Sequence, residues 1–402
     1  LQIKAHLGDA FEKVFLGHLI SGHLNFPRRI ATTYLNASVY PVHKEFFEAV
    51  QQSLEARGLT MPIRILKADG GNMNFASSIE FPGQTILSGP SASVMGAVAY
   101  ASNAADSLVL DIGGTTTDIT ILRDGVPLLA PLGIDVGGYR TLIRSLDTHS
   151  IGVGGDSLVR LSNQRLEIGP ERLGPAMAHG GPVPTPTDAF FVLNKVEDGD
   201  RDMAVKGIEP LAAVLDLSVE EAAVKIVERT CAKIIKAANT MLERLNSKPV
   251  YTIHEIQEGI RLQPQQILIL GGPAPYFAEE LERQSEMEVG VVPKWSVANA
   301  IGAVVGRVIM RQSGTVTSPG EGKFRVHLDA GPEDFGDPES ALALLETVLT
   351  RTARERAKAA GAAEIEVQVS RNIRTAGVEG REVFVEADVT VEASGRPRVA
   401  VG

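Results

Sequence analysis

Leu108-Val109-Leu110-Asp111-Ile112-Gly113-Gly114-Thr115-Thr116-Thr117-Asp118-Ile119-Thr120-Ile121-Leu122 is the stretch on which the fold turns. Apolar runs on either side of a Gly-Gly-Thr centre predict strand, turn and returning strand, at 108–111 and 118–122. Glycines at the turn let backbone N–H groups crowd around phosphate oxygens with no Cβ in the way. The hydroxyls of Thr115 and Thr116 add short donors. Asp111 and Asp118 cannot touch phosphate, because like charges repel. They make sense if Mg²⁺, or water bound to it, lies between them and the phosphates. The plainer alternative is a hairpin turn, but a hairpin needs one or two special residues, not a whole constrained run from Asp111 to Asp118. The loop differs from the Walker loop, which requires Gly-Lys-Ser/Thr before a helix. It differs equally from the dinucleotide fingerprint, which also opens a helix.

Working outward, the small residues Ser91, Ala92, Ser93, Gly96, Ala97 and Ala99 predict a closely packing helix over Ser88 to Ala101. Upstream, residues 1–25 read as helical, with Leu1 to Leu16 amphipathic and Asn25 and Pro27 as breakers. A second helix is expected over 31–58, with Tyr34, Val39, Phe46, Val50 and Leu54 on one side. Ile63 to Leu66 reads as a short strand before the turn Asp69-Gly70-Gly71-Asn72, to which no role is assigned. Downstream, 131–190 is a Gly- and Pro-rich insertion whose glycines suggest close backbone approach. Ser218 and Glu221 form a capping box for a long helix over 218–246. Residues 266–270 predict a buried strand that ends in Gly271-Gly272-Pro273, and 297–311 a second small-residue helix. The loops after 108–111 and 266–270 are expected to face one cleft. Gly, Ser and Pro make 312–322 read as a linker. Beyond it, 323–402 predicts a separate small α+β domain with a helix near 338–360. That helix should pack Leu342, Leu344, Leu345, Val348 and Leu349 on strands near 324–329, 363–371 and 382–393.

The net charge of −10 argues against nucleic acid, whose phosphates need a dense Lys/Arg surface. No run reaches the roughly 18 apolar residues needed to span a bilayer. No charged-then-apolar signal opens the chain. The lone Cys231 excludes an internal disulfide, and a reduced, cytoplasmic setting is the default expectation. Neither a Gly-x-Ser-x-Gly elbow nor a His-Glu-x-x-His helix occurs, so peptidase and esterase chemistry lack support.

Asp147 and His149 stand two apart, which on a strand puts both on one face. They could ligate a metal or share proton transfer, or be an ordinary loop Asp and His. Gly152, Gly154 and Gly155 read either as an anion-binding nest or as a mobile loop. His179 beside Gly180-Gly181 is a weaker candidate. Asp188 reads as a helix cap before a substrate ligand, Cys231 as core, and Trp295 as packing.

The segment 108–122 resembles a phosphate loop of the actin, sugar-kinase and heat-shock chaperone ATPases. Three more elements stand in that superfamily's order: the Ser88 helix before the loop, Gly271-Gly272-Pro273 as nucleoside motif, and Ala298 to Ala303 as second connecting helix. A closer resemblance runs through four motifs: Leu87-Ser88-Gly89-Pro90, the Asp111–Asp118 loop, Asp147 through Ser157, and Thr185-Pro186-Thr187-Asp188-Ala189. In that order they are similar to hydantoinase A, the oxoprolinases and related acetone carboxylase subunits, over residues 25–310. Departures are Asp156, where the family commonly has a third glycine, and Gly174 through His179 in place of a Gly-Pro-Ala-Cys-Tyr run.

The resemblance implies an α/β, ribonuclease-H-like (actin-like ATPase) core over 1–311. It implies ATP-dependent opening of a cyclic amide such as a hydantoin or 5-oxoproline, with Mg²⁺ and a second hydantoinase-type subunit as partner. ATP and Mg²⁺ would be held by Asp111, Gly113, Gly114, Thr115, Thr116, Gly271 and Gly272. Asp118, Asp147 and His149 would serve the chemistry, with a further divalent metal near Asp147 and His149. The other reading is a regulatory or scaffolding actin-like module of a carboxylase-type complex. The superfamily's first phosphate loop has no match here. The core is therefore expected to be incomplete at its N-terminus, and the isolated chain to bind ATP poorly.

Overall fold

A buried strand must satisfy its backbone on both sides, and Ser107–Ile112 does so in two ways. It pairs antiparallel with Thr117–Arg123 and parallel with Gln266–Leu270. In this computed structural model the described residues are 7, 10–21, 25–59, 63–100, 105–130, 133–247, 261–320, 322–328, 331–360, 362–378 and 381–397. They divide into two compact units, one of Gly89–Leu129 and Leu146–Val305, the other of Leu1–Ser88, Ala130–Ser145 and Gly306–Gly402.

The first of these units is built on a six-stranded sheet. Its main path runs Glu288–Val291, Gln266–Leu270, Ser107–Ile112, Thr117–Arg123 and Val126–Pro127, with Thr148–Ile151 also paired to Thr117–Arg123. Alternation sends Leu108, Leu110, Ile112, Ile119, Ile121, Ile267 and Ile269 to one face. There they join Phe190, Ile226, Cys231, Ile234 and Phe277 from the helices Pro186–Val192, Val219–Asn246 and Ala274–Ser285. Val109, Leu122 and Leu270 take the other face and meet Val94 and Ala97 of the helix Ser88–Val98, with Ala298 of Ala298–Val305. The small residues of these two helices have a direct cause. A Cβ on Gly96 would overlap the Ala298 carbonyl, and one on Gly302 the Ala92 carbonyl. The capping box at Ser218 and Glu221 is present as expected.

The other unit corrects three sequence expectations. Val308–Gly320 is a strand paired with Arg381–Pro397 and Lys323–Leu328, so the described part of 312–322 is sheet, not linker. Its polar residues are cross-strand partners, Thr315 Oγ1 donating to Asp388 Oδ1 at 2.8 Å. Gly314 lies against Leu345, where a Cβ would come within 2.7 Å of a methyl. The same seven-stranded sheet includes Arg64–Leu66 and Asn72–Asn74, so 323–402 does not stand apart from earlier residues. Of the five residues expected to pack from the helix Pro338–Ala359, Leu342, Leu345 and Leu349 enter the core, while Leu344 and Val348 are only half-buried.

Second, the helix expected over 297–311 ends at Val305, before the strand begins at Val308. Third, Asn25 and Pro27 start a helix instead of breaking one. Asn25 caps Phe26–Ala56 by accepting from the Arg28 amide at 3.2 Å, and proline suits the first turn, where no amide partner is needed. This helix leaves Tyr34 and Phe46 exposed. Its buried face instead uses Thr32, Asn36, Tyr40 and His43, of which Asn36 accepts from the Gly83 amide at 2.9 Å. Half of Leu1 to Leu16 lies outside the described residues; residues 10–16 are not helical, contrary to expectation, and the short helix Gly17–Ile20 follows. Among the described residues no helix is long and apolar enough to cross a membrane.

Candidate phosphate-binding site

The turn after Ser107–Ile112 closes through the Gly113 amide, which donates to the Thr116 carbonyl at 2.9 Å. Strand register then sets Asp111 directly opposite Asp118. Residues opposed across an antiparallel pair share a face, so the two carboxylates stand side by side. Burial pushes both acids above the ordinary carboxylate range, and the neighbouring Asp118 charge raises Asp111 further. Hydrogen bonds from Ser93 to Asp111 and from Ser150 to Asp118 oppose this in part. Two half-buried, mutually repelling carboxylates form a hard-oxygen pair that a divalent cation would relieve. Mg²⁺ fits such a site, because it keeps several waters and takes only one or two protein carboxylates. Among the described residues no group of three or more His, Cys, Asp or Glu could enclose a metal.

Two glycine loops converge on this turn. Gly271, at φ +100°, passes so close that a Cβ would meet the Ile112 carbonyl and come within 2.7 Å of Asp111 Oδ1. Gly113 and Gly271 therefore lie side by side, as expected of loops facing one cleft. The Gly155 amide donates to the Gly113 carbonyl at 2.9 Å and the Asp156 amide to the Gly114 carbonyl at 2.7 Å. Gly155 also abuts Thr187 and Pro273. Gly154 and Gly155 thus brace the turn instead of forming a separate mobile loop, and Thr117 anchors the same segment by donating to the Val153 carbonyl at 2.7 Å. Gly272 is open, with nothing within 4 Å of its Cβ position.

The pair Asp147 and His149 is not brought to this place. Register puts Ser150 opposite Asp118 and His149 opposite Ile119, so alternation turns His149 to the other face of the sheet. His149 is exposed there. Asp147 is buried, accepts from Arg244 Nη2 at 2.6 Å, and so carries an ion pair with the Val219–Asn246 helix. The expected second metal centre at Asp147 and His149 finds no further ligand among the described residues. Spacing two apart gives a shared face but not which face.

The remaining candidates are structural. Asp188 accepts from the amides of Met177, Ala178 and Thr185 and completes a capping box with Thr185. His179 bonds the Asp198 carbonyl at 2.8 Å and packs edge-on to Phe191. Cys231 is buried, and that burial pushes its thiol far up. The Trp295 carbonyl accepts from the Gly271 amide at 3.2 Å. Sequence reasoning missed Ser93, Ser150 and Arg172. Ser93 and Ser150 carry no signal of their own, since each acquires its role only from strand and helix placement.

Residues 29–312 match the hydantoinase/oxoprolinase family profile. The chain belongs to the hydantoinase/oxoprolinase family. The Caprolactamase subunit alpha of Pseudomonas jessenii is 29% identical over 248 residues, covering 56% of this chain and 34% of that protein. The 5-oxoprolinase of Saccharomyces cerevisiae is 30% identical over 195 residues, covering 46% of this chain and 15% of that one. This family member therefore spans well under half the length of these relatives. In structure it is similar to ATP-dependent caprolactamase from Pseudomonas jessenii, with TM-score 0.67 and 20% identity, over 100% of this chain and 64% of that one. It is likewise similar to nucleotide-free acetone carboxylase, with TM-score 0.68 and 18% identity, over 99% and 62%. These likenesses establish that the chain shares the α/β fold of those two proteins.

Proposed function

We propose that the chain is the nucleotide-handling part of an ATP-dependent cyclic-amide hydrolase. The observation that carries this is the Asp111–Asp118 pair set beside the Gly113, Gly155 and Gly271 loops. Membership of the hydantoinase/oxoprolinase family and the likeness to a caprolactamase subunit favour a ring amide as substrate. A relative named as a subunit also supports a second, different subunit as partner.

An amide carbonyl is a poor electrophile. Transfer of the γ-phosphoryl group to the carbonyl oxygen releases ADP and makes the carbon open to water. After water adds and the ring amine leaves, an acyl phosphate remains for a second water to cleave, so the net reaction converts ring amide, two waters and ATP into the opened amino acid, ADP and phosphate. Backbone N–H groups and the hydroxyls of Thr115 and Thr116 would hold phosphate oxygens. Gly113 and Gly114 keep that surface free of side-chain bulk. Asp111 and Asp118 would hold Mg²⁺ through its waters, and the ion would offset charge on the transferred phosphoryl. The Gly271 backbone packs against Asp111 and limits where its carboxylate can lie.

The test is ATP hydrolysis by the full-length protein with its partner subunit across a panel of cyclic amides. One amide should stimulate ADP release. When that amide carries ¹⁸O at its carbonyl, the label should appear in inorganic phosphate. Unlabelled phosphate, with all label in the opened acid, would contradict carbon–oxygen cleavage of a phosphorylated amide.

A further inference from the structure

Arg172 reaches the phosphate turn from a separate loop. Its Nη1 donates to Thr115 Oγ1 at 3.3 Å and its Nη2 to Asp156 Oδ2 at 2.8 Å. The same Asp156 oxygen lies 2.6 Å from the Cβ position of Gly114, so the ion pair sits on the turn itself. The loop bearing Arg172 is tied in place. The Leu158 amide donates to the Glu171 carbonyl at 2.8 Å, the Gly169 amide donates to the Leu158 carbonyl at 2.9 Å, and Arg160 pairs with Glu171 at 3.2 Å.

The charges make a fold-stabilising role insufficient as an explanation. The Arg172 side chain is 41% exposed and that of Asp156 18%. An ion pair this open contributes about 0–1 kcal/mol. A bare Asp156 carboxylate on the turn would repel phosphate, and Arg172 neutralises it. Each terminal nitrogen of Arg172 has spent one N–H, and its other donors remain on an exposed guanidinium. The planar fork matches phosphate oxygens. Because Thr115 Oγ1 accepts from Arg172, its own proton is free to be donated outward.

We propose that Arg172 contacts the nucleotide's phosphate oxygens at Thr115, with Asp156 as its anchor. The inference rests on the nucleotide reading above and adds a cation to a site that otherwise offers backbone amides, hydroxyls and carboxylates. Affinity should be measured for Mg-ATP and, separately, for adenosine, in the wild-type full chain, Arg172→Ala and Arg172→Lys. Arg172→Ala should weaken Mg-ATP at least about tenfold, the size expected for loss of one charge-assisted contact, and leave adenosine within about twofold. Arg172→Lys, which keeps the charge without the fork, should recover part of the loss. An unchanged ratio of the two affinities in Arg172→Ala would overturn the proposal while leaving the nucleotide reading intact. So would an equal loss for both ligands in both variants, which would mark Arg172 as a packing residue. A wild-type chain with no preference for Mg-ATP over adenosine would overturn the nucleotide reading and this proposal together.

Discussion

Asp111 and Asp118 face each other across adjoining strands, and burial holds both carboxyls above their ordinary range. A carboxyl whose folded-state pKa exceeds its unfolded value binds its proton more tightly in the folded protein. Its contribution to stability is complete below the unfolded pKa and is lost as pH rises through the folded one. Asparagine at position 111 removes that pH-dependent loss. Asp111→Asn should therefore raise the melting temperature relative to wild type at pH 8, with the gain fading as pH falls toward about 4, the ordinary carboxylate value. Thermal melts of both proteins across pH check this, and a gain that grows toward low pH would contradict the burial argument. Asp111, the glycines and the threonines were legible because one continuous segment carries them. The pairing of Arg172 with Asp156 was not, since they stand sixteen apart in the chain and only the folded loops bring them together.

The helices Ser88–Val98 and Ala298–Val305 show how an element's composition follows from its neighbour. Their glycines stand where a side chain would enter the other helix's backbone. Backbone cannot move aside as a flexible side chain can. Gly96→Ala and Gly302→Ala should each destabilise by about 1–3 kcal/mol, the usual range for overpacking, read from urea denaturation. Gly272→Ala, where the Cβ meets open space, should shift the midpoint little. Equal midpoints for all three variants would contradict the close contact. These small-residue helices, the Asp111 turn and the capped Val219–Asn246 helix were all legible because each carries a local signature. The strand Val308–Gly320 was not. Its Gly, Ser, Thr and Pro residues carry the local signature of a linker, and only pairing with Arg381–Pro397 makes a strand of them. Hydroxyls meeting a carboxylate across strands, and a glycine beneath Leu345, replace the apolar alternation by which strands are recognised.

At the scale of the molecule, family and fold class could be read from the order of the motifs, whereas the division into units could not. Ala130–Ser145 and Gly306–Gly402 group with Leu1–Ser88, although long stretches of chain separate them. Sequence segmentation assigns neighbours in the chain to one domain, and this topology crosses between units instead. The phosphate site avoids that difficulty, because Gly113, Gly155, Arg172 and Gly271 all belong to one unit. The central claim is that this site handles the phosphates of ATP for amide opening. Its most direct test is Mg²⁺-dependent, amide-stimulated ATP turnover by the full-length protein with the proposed partner subunit, as wild type, Asp111→Ala and Gly114→Val. Asp111→Ala removes a carboxylate assigned to Mg²⁺ and should act mainly on kcat. Gly114→Val drives a branched side chain toward Asp156 and the phosphate position, and should act mainly on nucleotide binding. Each variant is predicted to lose at least about tenfold in kcat/KM for ATP, a loss of about 1.4 kcal/mol in transition-state stabilisation. Wild-type turnover in both variants would contradict the account.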